Sequence, residues 1–140
     1  MRIMAIDLGD ARTGVALSDP TGFLAGQART IAQYNRALLA DEIIAIARAE
    51  KAGEIVLGNP RNMNASEGER SEKSAAFRLL LLERAPEIPV VLWDERRTTL
   101  DAHRILSENG RHGKRRRDTV DAVAATLILQ NYLDYKRNSI

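Results

Sequence analysis

The chain has 140 residues, enough for one domain with one core over residues 1–140, and 44% of them are apolar, which fits a globular protein without a long disordered segment. It has no cysteine, which excludes disulfides and thiolate metal sites, and no apolar run near the ~20 residues needed to span a bilayer. The net charge of +2 is small, but five Lys/Arg fall within the seven residues Arg111–Arg117, a local positive field of the kind that meets a phosphate backbone.

The opening MRIMAIDLG carries one positive charge and turns acidic at once, so it does not read as a signal peptide, and a cytoplasmic location with no membrane partner is expected. Residues 2–8 predict a strand of small and apolar residues. Gly9 and Gly14 bracket a polar turn, and residues 14–18 predict the returning strand. Asp19-Pro20-Thr21-Gly22 is a strong turn signal, followed by a third strand within 23–32, so the first three strands form an antiparallel meander.

Asn35 is placed to cap a helix over about 36–51, where Leu38, Leu39, Ile43, Ile46 and Ala47 recur at helical spacing and Gly53 ends the pattern. EIVLG (54–58) is a short strand bounded by Gly58 and Pro60. Ser66 and Glu69 match a capping box for a helix over about 67–84. PVVLW (89–93) reads as a fifth strand, and Thr98 or Thr99 as the cap of a helix over about 99–108. The basic run then reads as a loop, and Asp118 as the cap of a last helix with Val120, Val123, Ala124, Leu127 and Ile128 on its apolar face.

Helices between the later strands imply right-handed crossovers and parallel pairing. The expected fold class is α/β: a five-stranded mixed sheet, three antiparallel strands then parallel ones, with helices on both faces. Ligands of such sheets gather at the carboxyl ends of the parallel strands, where Gly58-Asn59-Pro60 and Asp94-Glu95 fall.

Acids stand at three element ends. Asp7 closes IMAID, Asp94 and Glu95 close PVVLWDE, and Asp121 opens DAVAATLIL. Carboxylates converging from such ends repel one another unless a cation neutralises them. Oxygen donors without His or Cys suit Mg²⁺ or Mn²⁺, which points to phosphoryl chemistry on a nucleic acid or nucleotide. Each acid also has a plain structural role available. Asp7 can end a strand on backbone hydrogen bonds, Glu95 can pair with Arg96 or Arg97, and Asp121 can favour a helix dipole. Adjacent Asp94 and Glu95 point to opposite faces of a strand, so only one of them joins a cluster.

The segments IDLGDARTGVALSD, IVLGNPRNMNASEG, WDERRTT and VDAVAATLILQNYL, in this order, resemble the four motifs of the YqgF family of the ribonuclease H-like superfamily, and the resemblance covers essentially the whole chain. It implies a metal-dependent nuclease that matures the 5′ end of 16S pre-ribosomal RNA, with cleavage of four-way junction DNA as the alternative substrate. The resemblance places the second acid in the middle of Asp-Glu-Arg, so the implied catalytic and metal-binding set is Asp7, Glu95 and Asp121, with Asp94 as the fallback. These would hold two Mg²⁺ or Mn²⁺ ions. Gly58, Asn59, Pro60 and Asn62 would line the cleft, and Arg96, Arg115, Arg116 and Arg117 would grip flanking phosphates of a precursor rRNA or branched DNA. A monomer or weak homodimer is expected.

The chain departs from the family pattern at Asn59, where leucine is usual, and at Asn64-Ala65, where Asp-Gly is usual. Losing that glycine restricts the loop, and losing that acid removes a charge. The Asp10-Ala11-Arg12 turn differs too, since the family favours Thr followed by basic residues. Two other classes share parts of the pattern. Actin-like nucleotide-binding modules share the opening DxG…G, but they pair two such domains. A non-catalytic RNA-binding or assembly protein would share the basic run without the cleavage.

Overall fold

The computed structural model describes the backbone of residues 1–59, 66–94 and 113–138, and the side chains of 1–59, 71–94 and 120–138. Five strands form one sheet: β1 (Arg2–Asp7), β2 (Arg12–Ser18), β3 (Ala25–Ala32), β4 (Ala52–Asn59) and β5 (Val90–Asp94). Their order across the sheet is β3-β2-β1-β4-β5. β1 pairs antiparallel with β2, and β2 with β3, whereas β4 runs parallel to both β1 and β5. The expected mixed sheet is therefore the one observed.

Helices cover both faces, which is why the central strands carry apolar residues at odd and even positions alike. On one face α1 (Arg36–Ala49) and α2 (Ser66–Arg84) pack Leu39, Ile43, Phe77 and Leu81 against Met4, Ile6, Val15, Leu17, Ile55 and Leu57. On the other, α3 (Gly113–Asn138) packs Ala125, Ile128, Leu129, Tyr132 and Leu133 against Ile3, Ala5, Ala16, Val56 and Trp93. Each fully buried Leu or Ile contributes roughly 1.5–3 kcal/mol.

The turn chemistry is largely as the sequence indicates. Asn35 caps α1 by accepting the Leu38 N–H (3.0 Å). In the β2–β3 turn, Asp19 accepts backbone N–H groups of Phe23 (2.9 Å) and Leu24 (3.2 Å), and Gly22 supplies the left-handed residue at φ 79°.

Four expectations need correction. Gly53 does not end α1: Lys51 takes the left-handed conformation (φ 57°), and Gly53 already lies within β4. Ser66 is the first helical residue of α2, not a residue ahead of it. The basic residues Lys114–Arg117 form no loop, and Asp118 does not start the helix, because both lie in the first turns of α3. Lys and Arg are good helix formers, so they carry the helix upstream of an acid that would otherwise start one. The buried stripe of α3 is rotated from the expected one, to Ala125, Ile128, Leu129, Tyr132 and Leu133, and extends a turn further. The expected helix over 99–108 lies outside the described residues.

Candidate active site

The carboxyl ends of β1, β4 and β5 form one edge of the sheet. Asp7 is the last residue of β1 and is partly buried. Alternation assigns its face: Ile3 and Ala5 belong to the α3 core, Met4 and Ile6 to the α1–α2 core, so Asp7 faces α3.

Asp121 reaches the same place through Gly14. Gly14 is the register partner of Asp7 across the β1–β2 ladder. A Cβ on Gly14 would collide with the carbonyl oxygen of Asp121, 2.6 Å from its carbonyl carbon and 3.3 Å from the Ala125 Cβ. The missing side chain lets α3 lie directly on β2, one strand from Asp7. Gly14 thus lies inside β2, not at the edge of a turn, and a lone glycine within a strand is the sequence signal for such an approach. Gly9 has the comparable role in the β1–β2 turn, where a Cβ would strike the Arg12 carbonyl oxygen.

On β5, Val91 and Trp93 pack on the α3 side and Val90 and Leu92 on the other, so Asp94 faces α1 and α2, away from Asp7. The next position along an alternating strand returns to the Asp7 face. That position, Glu95, lies outside the described residues, as do Pro60, Asn62 and Arg96.

β4 ends between β1 and β5. With Ile6 opposite Leu57 and Gly58 opposite Trp93, Gly58 is level with Asp7 on the α3 face. Asn59 is buried and turned to the other face. Its carboxamide oxygen accepts the Ser71 hydroxyl (3.0 Å), and Ser74 donates to the Gly58 carbonyl (3.3 Å). Asn59 therefore ties the end of β4 to α2, a role that its position in a glycine-proline turn does not announce. Arg115, Arg116 and Arg117 stand one to two turns upstream of Asp121 on the same helix, so the basic run continues the element that carries that acid.

The turn after Asp7 is held from two helices. Arg36 donates Nη1 to the Gly9 carbonyl (2.8 Å) and brings Nη2 to 3.6 Å from Asp10 Oδ1. Lys73 of α2 brings Nζ to 3.3 Å from the same oxygen. The sequence did not single out Arg36 and Lys73, since their helical spacing marks them only as solvated faces.

Asp7 and Asp121 offer hard oxygen donors on one face, and no group of three or more His, Cys, Asp or Glu in metal-binding arrangement occurs among the described residues. The donor chemistry of these two acids fits Mg²⁺ or Mn²⁺. No helix among the described residues is long and apolar enough to cross a membrane.

A family model described as "RuvX: Holliday junction resolvase" matches residues 1–135. A Pelotomaculum thermopropionicum protein named "Putative pre-16S rRNA nuclease" is 47% identical over 135 residues, covering 96% of this chain and 87% of the relative. One of the same name from Thermoanaerobacter pseudethanolicus is 40% identical over 139 residues, covering 99% of both. Among solved structures, Thermus thermophilus RuvC in complex with a Holliday junction substrate superposes with a TM-score of 0.62 at 10% identity, covering 97% of this chain and 96% of that one. The Fowlpox virus resolvase with junction DNA gives 0.53 at 10% identity, covering 100% and 99%. At these identities the likeness is one of fold, that of the ribonuclease H-like resolvases.

Proposed function

The chain belongs to the RuvX family of Holliday junction resolvases, and on that premise we propose that it is a single-domain, cytoplasmic nuclease that hydrolyses phosphodiester bonds in the 5′-end maturation of 16S pre-ribosomal RNA. The observation that supports the reading is the close approach of α3 to β2 at Gly14, with the Asp121 backbone over the ladder partner of Asp7.

In this reading Asp7, Glu95 and Asp121 hold Mg²⁺ or Mn²⁺. The bound ions would supply a water of lowered pKa and neutralise charge on the cleaved phosphate. The protein's own part is positional. The β1–β2 ladder fixes Asp7, the Gly14 contact fixes the height of α3, and Gly58, without a side chain, would let a phosphate approach beside Asp7. Arg96 and the basic start of α3 would neutralise flanking phosphates and hold the scissile strand along the edge. Asn59 would act behind the site, through its hydrogen bond to Ser71, and Pro60 and Asn62 would line the cleft.

The family's description favours a second reading, the same chemistry on a four-way DNA junction. Incubating the purified protein with Mn²⁺ and either 5′-extended 16S precursor RNA or a four-way DNA junction separates the two. Cleavage of the precursor at a defined 5′ position is expected. Cleavage of the junction alone would favour the second reading, and cleavage of neither would overturn both.

A further inference from the structure

We infer that Arg36 and Lys73 form a phosphate-binding pair at the first turn, which Asp10 occupies in the free protein; the inference rests on the nuclease reading and adds a substrate contact to it. The two cations come from different helices, α1 and α2, yet both meet one oxygen of one carboxylate, Asp10 Oδ1. That carboxylate is 82% exposed, whereas the Arg36 side chain is only 29% exposed and the Lys73 side chain 46%. Arg36 is also fixed by its bond to the Gly9 carbonyl, so the guanidinium is oriented before any ligand arrives. The less exposed partners in these contacts are cationic, and the exposed one is the acid.

An exposed ion pair contributes little to stability, so Asp10 is a weak occupant of this place. A phosphodiester presents the same kind of acceptor, an anionic oxygen, and Arg and Lys are the residues that bind it. The location suits a strand that reaches Asp7. Asp10 is three residues beyond Asp7, at the same carboxyl edge of the sheet, on the side of α1 and α2. The basic start of α3 lies across that edge, so a nucleic acid lying on Asp7 would meet cations on both flanks.

The test reads binding apart from cleavage. A labelled double-stranded RNA is titrated by fluorescence anisotropy in EDTA over a salt series, with the parent protein, Lys73→Gln, Asp10→Asn and Arg36→Lys. Lys73→Gln is expected to weaken binding and make the slope of log K against log salt shallower by about one unit. Asp10→Asn keeps the oxygen and removes the charge, and is expected to tighten binding about threefold. Arg36→Lys keeps the charge and is expected to retain the parent's slope. An unchanged slope in Lys73→Gln, weaker or equal binding in Asp10→Asn, or no binding by the parent would overturn the inference. Cleavage in Mn²⁺ is followed on the same preparations. A parent that binds without cleaving counts against the nuclease reading alone, and a cleaving parent with an unchanged Lys73→Gln slope counts against the phosphate pair alone.

Discussion

Gly14 and Asp121 touch through their backbones: a side chain on Gly14 would occupy the space of the Asp121 carbonyl. Because Gly14 is also the ladder partner of Asp7, this one contact sets the spacing between the two acids. Gly14→Ala must therefore lift α3 or bend β2. Overpacking of this kind costs about 1–3 kcal/mol, read as a lowered midpoint in urea. Under conditions where the variant is fully folded, cleavage should fall by more than nucleic-acid affinity, because the chemistry tolerates less displacement than phosphate contacts do.

A second prediction concerns Tyr132, which joins α3 to the sheet. Its hydroxyl donates to Glu54 Oε2 (3.0 Å), and Lys136 meets the other carboxylate oxygen (3.0 Å). Burial first, then the Glu54 carboxylate, push the Tyr132 hydroxyl well above its ordinary value of 10.0. The folded protein holds that proton more tightly than the unfolded chain does. Its stability contribution is therefore whole below pH 10 and declines as the pH rises above it. Tyr132→Phe should cost about 1–2 kcal/mol at neutral pH and flatten the alkaline limb of a stability curve.

The acid limb has its own marker at Asp19. The Thr21 hydroxyl, then the Leu24 backbone N–H, hold its carboxyl below the ordinary 3.8. This group therefore adds stability above pH 3.8 that is lost as the pH falls through its folded-state value. Asp19→Asn should weaken the β2–β3 turn at neutral pH and leave a shallower decline in acid, followed by thermal melts at stepped pH.

Much of the scaffold was legible because its signals are local. Alternating and continuous apolar runs mark the five strands, Asn35 marks the start of α1, and Asp19 through Gly22 marks a turn. The errors came where one local signal competed with another. Asp118 resembles a cap, but the Lys and Arg before it extend the helix, and Lys51 took the left-handed conformation expected nearer Gly53. The site was harder to read because its assembly is long-range. That Asp121 lies over the strand next to Asp7 depends on Gly14, and that Asn59 turns inward goes with Ser71 of α2. Trp93 in the α3 core turns Asp94 to the opposite face, and Glu95 lies outside the described residues.

The helical start of α3 makes a quantitative prediction for the basic run. Replacing Arg115, Arg116 and Arg117 with Ala should lower affinity for all nucleic-acid sequences alike. The slope of log K against log salt should become shallower by up to about 3 units if each arginine meets a phosphate. Ala is a strong helix former, so α3 should persist, as far-ultraviolet circular dichroism would report. An unchanged slope would move the substrate path toward Arg12, Arg36 and Lys73.

The central claim is that Asp7 belongs to the chemistry and not only to the end of β1. Its most direct test is single-turnover cleavage of 5′-extended 16S precursor RNA in Mn²⁺ by the parent and by Asp7→Asn, with binding of the same RNA measured in parallel. The account predicts that Asp7→Asn cleaves at least about a hundredfold more slowly while binding the RNA as tightly as the parent or more tightly, since it removes a negative charge from the path of a polyanion. A variant that cleaves at the parent's rate, or that loses cleavage and binding in equal measure, would contradict it.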